Sequence, residues 1–189
     1  MGIITDRDRD LYRAVAEINI DNGLTLDFLS FIWPKSPDNL QYKVSTTSIP
    51  GAAAAYLALP CESMKRPAPA RDATTVSLSL PALADIPGTR NTFAWYPPEF
   101  ETRINRLLAE YFELDFYKYY LRGLQYGYRK QDIIEMYLIS RSMDPDEHWE
   151  SLHKRAYRQE VRTMREKAVL LNRKARYFFL EDPNNPPKK

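Results

Sequence analysis

With one cysteine, two histidines and six glycines among 189 residues, several common chemistries have no raw material here. Cys61 stands alone, so no internal disulfide forms and nothing argues for an oxidising compartment. His148 and His153 lie five apart, on different faces of a helix, and Glu147-His148 does not extend to an HExxH pattern. The acids Asp144, Asp146, Glu147 and Glu150 invite comparison with a calcium loop, but Trp149 occupies its glycine position. No metal is therefore expected. The scarce glycines spell no GxxxxGK[ST], GxGxxG or GxSxG, which removes the usual phosphate cradle, dinucleotide turn and nucleophile elbow. The chain is expected to be no enzyme and to use no cofactor. No apolar run of 18 residues occurs and mean hydropathy is -0.53, so no membrane-spanning helix is expected. The opening residues carry no basic stretch followed by an apolar core, and Asp6 stands where myristoylation needs Ser or Thr. The expected location is the cytoplasm.

Hydrophobic residues make up 44% and aromatics 13%, enough apolar surface for a folded core. Proline and charge divide the chain in two. Ten of the 14 prolines fall between Pro34 and Pro98, whereas Pro145 alone interrupts residues 99–182. Proline lacks an amide donor and clashes with the preceding turn, so long helices belong to the second half. Residues 1–100 carry 9 Lys+Arg against 11 Asp+Glu; residues 101–189 carry 18 against 14. The net charge of +2 thus conceals an acidic half and a basic half. The expected organisation is a proline-rich region over 1–98, a helical domain over 99–182 and a disordered tail over 183–189.

Within the first region, Leu11, Ala14, Val15 and Ile18 recur at helical spacing and predict a helix over 6–20, ended by Asp21-Asn22-Gly23. A short apolar helix is expected over 25–33 and another from Gly51 to Leu59. Residues 62–73, with Pro67 and Pro69, read as an exposed linker. Val76, Leu78 and Leu80 alternate with serines as in a half-buried strand, and residues 91–96 offer a partner, so a small β-hairpin is expected near 75–96. The fold class expected is mostly α, within α+β.

The second half predicts helices over 99–122 and 129–140, and a third from Pro145, opened by Asp144-Pro145-Asp146-Glu147. No glycine or proline follows before Pro183, which predicts one long helix, or two nearly continuous ones, to about residue 179. The second and third helices have helix-turn-helix proportions. Residues 152–176 carry nine Lys+Arg and two Glu. Arg155, Arg158, Arg162, Arg165, Arg173 and Arg176 share one helical ridge, opposite a seam including Tyr157, Val161, Met164 and Leu171. An arginine ridge suits phosphate oxygens, because a guanidinium donates two parallel charge-assisted hydrogen bonds. The side chains that would enter a groove first are acidic, however, which argues for phosphate contact rather than base reading.

Eight aromatics lie between Tyr111 and Tyr128. Tyr119, Tyr120, Tyr126 and Tyr128 fall off the main apolar stripe, close to Lys118, Arg122, Arg129 and Lys130, a mixture suited to a contact surface. The functional expectation is a non-enzymatic DNA-binding protein of regulatory or accessory type, with Lys154, Arg129 and Lys130 supporting the ridge. The alternative is an assembly subunit that forms a homodimer or larger oligomer through Tyr119, Tyr120 and the seam.

Overall fold

A computed structural model describes residues 14–38, 40–69, 72–81 and 93–177, the last three without their side chains. The chain divides between Arg106 and Leu107 into two compact units. Their described elements are mixed: six helices and a five-stranded sheet, with helix dominant.

The first unit contains β1 (Ala14–Ile20), α1 (Gly23–Ile32), β2 (Tyr42–Lys43), α2 (Ile49–Leu57), β3 (Leu59–Cys61), β4 (Thr74–Leu80) and β5 (Phe93–Trp95). Residues 14–20 are a strand and not the second half of a helix over 6–20; residues 6–13 lie outside the described residues. The same apolar residues satisfy both periods, since Ala14, Ala16, Ile18 and Ile20 are buried at every second position. Pairing on both edges decides between the periods. The strand order is β2-β4-β1-β5-β3, with β1 antiparallel to β4 and parallel to β5. Residues 75–96 therefore form no hairpin, because β1 lies between the two strands expected to pair. Ala16 faces Leu78 and Ile18 faces Val76 across the β1–β4 pair, which places their apolar side chains on one sheet face.

Asn22 caps the N-terminus of α1, its Oδ1 accepting from Leu24 N at 2.9 Å, and does not end a helix. Phe28, Leu29 and Trp33 are fully buried, each contributing about 1.5–3 kcal/mol. Ser48 caps α2, whose Gly51 leaves no room for a side chain: a Cβ there would lie 2.0 Å from the Ser45 carbonyl oxygen. Buried Tyr96 donates to the Ala54 carbonyl at 2.9 Å, and burial pushes its hydroxyl pKa up.

Asn19 is the polar node of this unit. Its Nδ2 donates to the Ala68 carbonyl at 2.8 Å and its Oδ1 accepts from Thr75 Oγ1 at 2.7 Å. Its backbone N–H donates to Glu101 and its carbonyl accepts from Asn105, both in the first turns of α3 (Pro98–Gln125). The described part of the 62–73 segment is thus exposed yet tethered, with Arg66 3.7 Å from Glu17 and Lys65 over the Trp95 ring.

The second unit holds the rest of α3, then α4 (Lys130–Ser140), α5 (Pro145–Arg158) and α6 (Val161–Tyr177). Ile104, Leu107, Leu108, Leu114 and Tyr117 of α3 are buried, as their shared stripe implies. The expected tail over 183–189 lies outside the described residues. No described helix is long and apolar enough to cross a membrane.

Candidate nucleic-acid interface

Two chain reversals build the second unit. At the first, Gly127 adopts φ 80, Tyr128 N donates to the Gly123 carbonyl and Gly127 N to the Leu124 carbonyl. This paired six-to-one and five-to-two pattern closes a helix over a left-handed residue, which glycine adopts without steric cost. At the second, Ser142 adopts φ 55 and repeats the pattern, with Met143 N on the Leu138 carbonyl and Ser142 N on that of Ile139. Met143 is buried beneath it, and Asp144 then caps α5 by accepting from Asp146 N at 2.9 Å.

Contacts across the first reversal pair Gly123 with Ile133, Tyr119 with Tyr137 and Asp115 with Arg141. Each pair is centred on Tyr128, the signature of two antiparallel helices. Arg141 fixes the far end: its Nε donates to Asp115 Oδ2 at 2.8 Å and its Nη2 to Oδ1 at 3.2 Å. The guanidinium also lies 5.5 Å from the Tyr119 ring centre and 5.2 Å from that of Tyr137. Burial alone would lower the Arg141 pKa, but the Asp115 hydrogen bond and charge overcome this and hold it above its ordinary value.

A groove of about 480 Å³ opens over this helix pair. Tyr119, Tyr126 and Tyr128 line it together with Lys118 and Arg122. Asp115 and Arg141 form its ion-paired end, and Gly123 and Met136 complete its wall. Tyr126 and Tyr128 are 74% and 53% exposed, and their rings touch no other ring among the described residues. Among the described residues, Arg122 has no ion-pair partner and Lys118 reaches only Asn172 Oδ1, at 3.3 Å. No family model, curated protein or solved structure matches the chain.

The arginine ridge is broken. Gln159 takes an extended conformation between α5 and α6, and its side-chain amide lies 2.9 Å from the Tyr117 hydroxyl. The single Tyr117 hydroxyl proton goes to Glu113, at 2.6 Å; burial and that carboxylate raise its pKa. No glycine or proline announces this break, which is held by a contact with α3. Residues 145–177 are therefore two helices, and their arginines do not keep one phase. Arg155 is half-buried, 3.8 Å from Glu113 and over the Phe112 ring. Arg158 is exposed. On α6, Arg162, Arg165 and Arg173 are exposed on the side away from buried Met164 and Leu171, while the Arg176 side chain lies outside the described residues. Arg162 pairs with Glu166 at 3.0 Å and Lys154 with Glu150 at 2.5 Å. Arg129 is exposed, and Lys130 lies 5.1 Å from the ring of Tyr157. Tyr157 in turn packs on His153, which stacks on Trp149.

The residues named as an interface fall largely inside their own chain. Met164, Leu171 and Tyr120 are buried, Val161 and Tyr119 are half-buried, and only Tyr157 is mostly open. Met164 and Leu171 of the seam are thus covered within the chain itself. Sequence reasoning passed over Asp115 and Arg141. Their equal separation from Tyr128 was the available signal, legible only once Gly127 is taken as a helix reversal.

Proposed function

We propose that the protein is a non-enzymatic DNA-binding protein of regulatory or accessory type, contacting phosphates through arginines of α5 and α6. One observation carries this reading. Arg165 and Arg173 stand on the exposed side of α6 with no ion-pair partner among the described residues. Unpaired guanidinium groups in a row repel one another, and a polyanion that bridges them relieves the repulsion while releasing counterions. The step from α4 through Ser142 to α5 has helix-turn-helix proportions, but exposed Asp146, Glu147 and Glu150 open α5. Carboxylates repel phosphates, so the reading is of backbone contact without base discrimination.

Fluorescence anisotropy with a labelled duplex across a salt series tests it. If Arg158, Arg162, Arg165 and Arg173 each meet a phosphate, log K falls with log salt at a slope of roughly -3 to -4. The double substitution Arg165→Gln, Arg173→Gln then reduces that slope by about 2. No binding at low salt, or a slope indifferent to the substitutions, defeats the reading.

Val169 and Leu170, 70% and 54% exposed on α6, favour a second reading as an assembly subunit. That reading expects a defined oligomer in light scattering that Leu170→Glu dissociates and DNA leaves unchanged.

A further inference from the structure

We propose that the groove at the C-terminal end of α3 is a separate site for an unpaired nucleic-acid strand, whose bases stack on Tyr126 and Tyr128 while Lys118 and Arg122 hold its phosphates. The inference goes beyond duplex contact by α6, and different side chains carry it.

Two features of the groove select the chemistry. The first is flat apolar surface left in water. Tyr126 and Tyr128 flank Gly127, and the reversal there presents both rings outward instead of packing them. Exposed rings with no packing role are suited to a ligand that has its own π-face. The second is charge. Arg141 and Asp115 neutralise one another by their two hydrogen bonds, which leaves Lys118 and Arg122 beside the rings as a positive pair with no ion-pair partner among the described residues. A ligand with flat rings and regularly spaced negative charge is a nucleic acid, and its bases offer free faces only where they are unpaired.

The groove favours a strand over a single nucleotide. It is open to solvent, and exposed Arg129 and Lys130 follow directly after Tyr128, so positive charge continues past the rings. A mononucleotide would leave that extension unused. Arg141 acts here as a positioning residue: its ion pair and its stacking on Tyr119 and Tyr137 fix the groove end, while its Nε, Nη1 and Nη2 each donate to Asp115 or Ser140.

The test is anisotropy of a labelled short oligothymidylate with the full chain, using the double variants Tyr126→Ala/Tyr128→Ala and Tyr126→Phe/Tyr128→Phe. Both positions are exposed, and unchanged circular dichroism melting verifies that the variants fold. Stacking on two rings predicts an affinity loss of about tenfold or more for the alanine pair. The phenylalanine pair, which keeps the π-faces, stays within about threefold of the unmodified protein. Arg122→Gln lowers the salt slope by about 0.7. Retained affinity in the alanine pair overturns the proposal, as does an equal loss in the phenylalanine pair. Thymidine monophosphate that binds as tightly as the strand overturns the assignment to a strand. Strand binding that survives Arg165→Gln, Arg173→Gln while duplex binding fails separates this site from the duplex reading.

Discussion

Replacing either member of the Arg141–Asp115 pair perturbs the contact that holds the groove end together. The two side chains are 16% and 26% exposed, joined by hydrogen bonds of 2.8 and 3.2 Å. An exposed pair contributes about 0.2–1 kcal/mol. Removing one partner of a fully buried pair costs about 3–5 kcal/mol, because the remaining charge is stranded out of water. At this intermediate exposure Asp115→Ala should cost about 2 kcal/mol, and Arg141→Ala about the same or slightly more, since the guanidinium also covers the Tyr119 and Tyr137 rings. The double variant should cost less than the sum of the two, with a coupling of roughly 1 kcal/mol, because neither charge is then left alone. Urea unfolding followed by circular dichroism gives the three values from midpoint and slope. Additive losses, or single losses below about 0.5 kcal/mol, would refute the claim that this pair fixes the α3–α4 crossing.

Other perturbations report on the scaffold. Asn19→Ala removes the bonds to Ala68 and Thr75 and should cost about 2–3 kcal/mol, with faster tryptic cleavage after Lys65; an unchanged cleavage rate refutes the tether. Gly123→Ala would place a Cβ 2.7 Å from the buried Ile133 side chain. Overpacking of about 1–3 kcal/mol should outweigh the roughly 1 kcal/mol gained in helix propensity, so denaturation should show a net loss; a gain refutes the close crossing. Glu101 has its pKa raised above 4.5, chiefly by burial, against a lowering bond from Asn19 N–H. The folded protein then holds this proton more tightly than the unfolded chain, so stability falls as pH rises from the ordinary carboxyl range through the raised value. Glu101→Gln should flatten that fall, measured by urea midpoints between about pH 4 and about pH 7; an unchanged pH profile counts against it.

Where a signal is local, the sequence was enough. Asp144-Pro145 starts α5 because capping and a fixed φ act within a few residues. The α3 stripe survives because an extended run at one period has no competing reading. Ala14–Ile20 reads as helix from sequence because its five apolar residues, Ala14, Val15, Ala16, Ile18 and Ile20, fit both periods, and its two strand neighbours lie far along the chain. The hairpin expectation failed for the same reason, since sequence neighbours were assumed to be spatial neighbours. At the candidate site, the tyrosines and cations near Tyr128 stood out by composition, whereas Asp115 and Arg141 did not.

By itself the sequence determined the uneven division of proline and charge, the helical second half and the aromatic, basic character of the region around Tyr128, because composition and short-range sterics decide these. Tertiary structure alone decided that β1 sits at the centre of a mixed sheet, that Gln159 breaks the basic helix, and that Arg141 neutralises Asp115 beside the groove. Each of these depends on a hydrogen bond or ion pair between residues distant in the chain, whose energy exists only once both ends have been brought together.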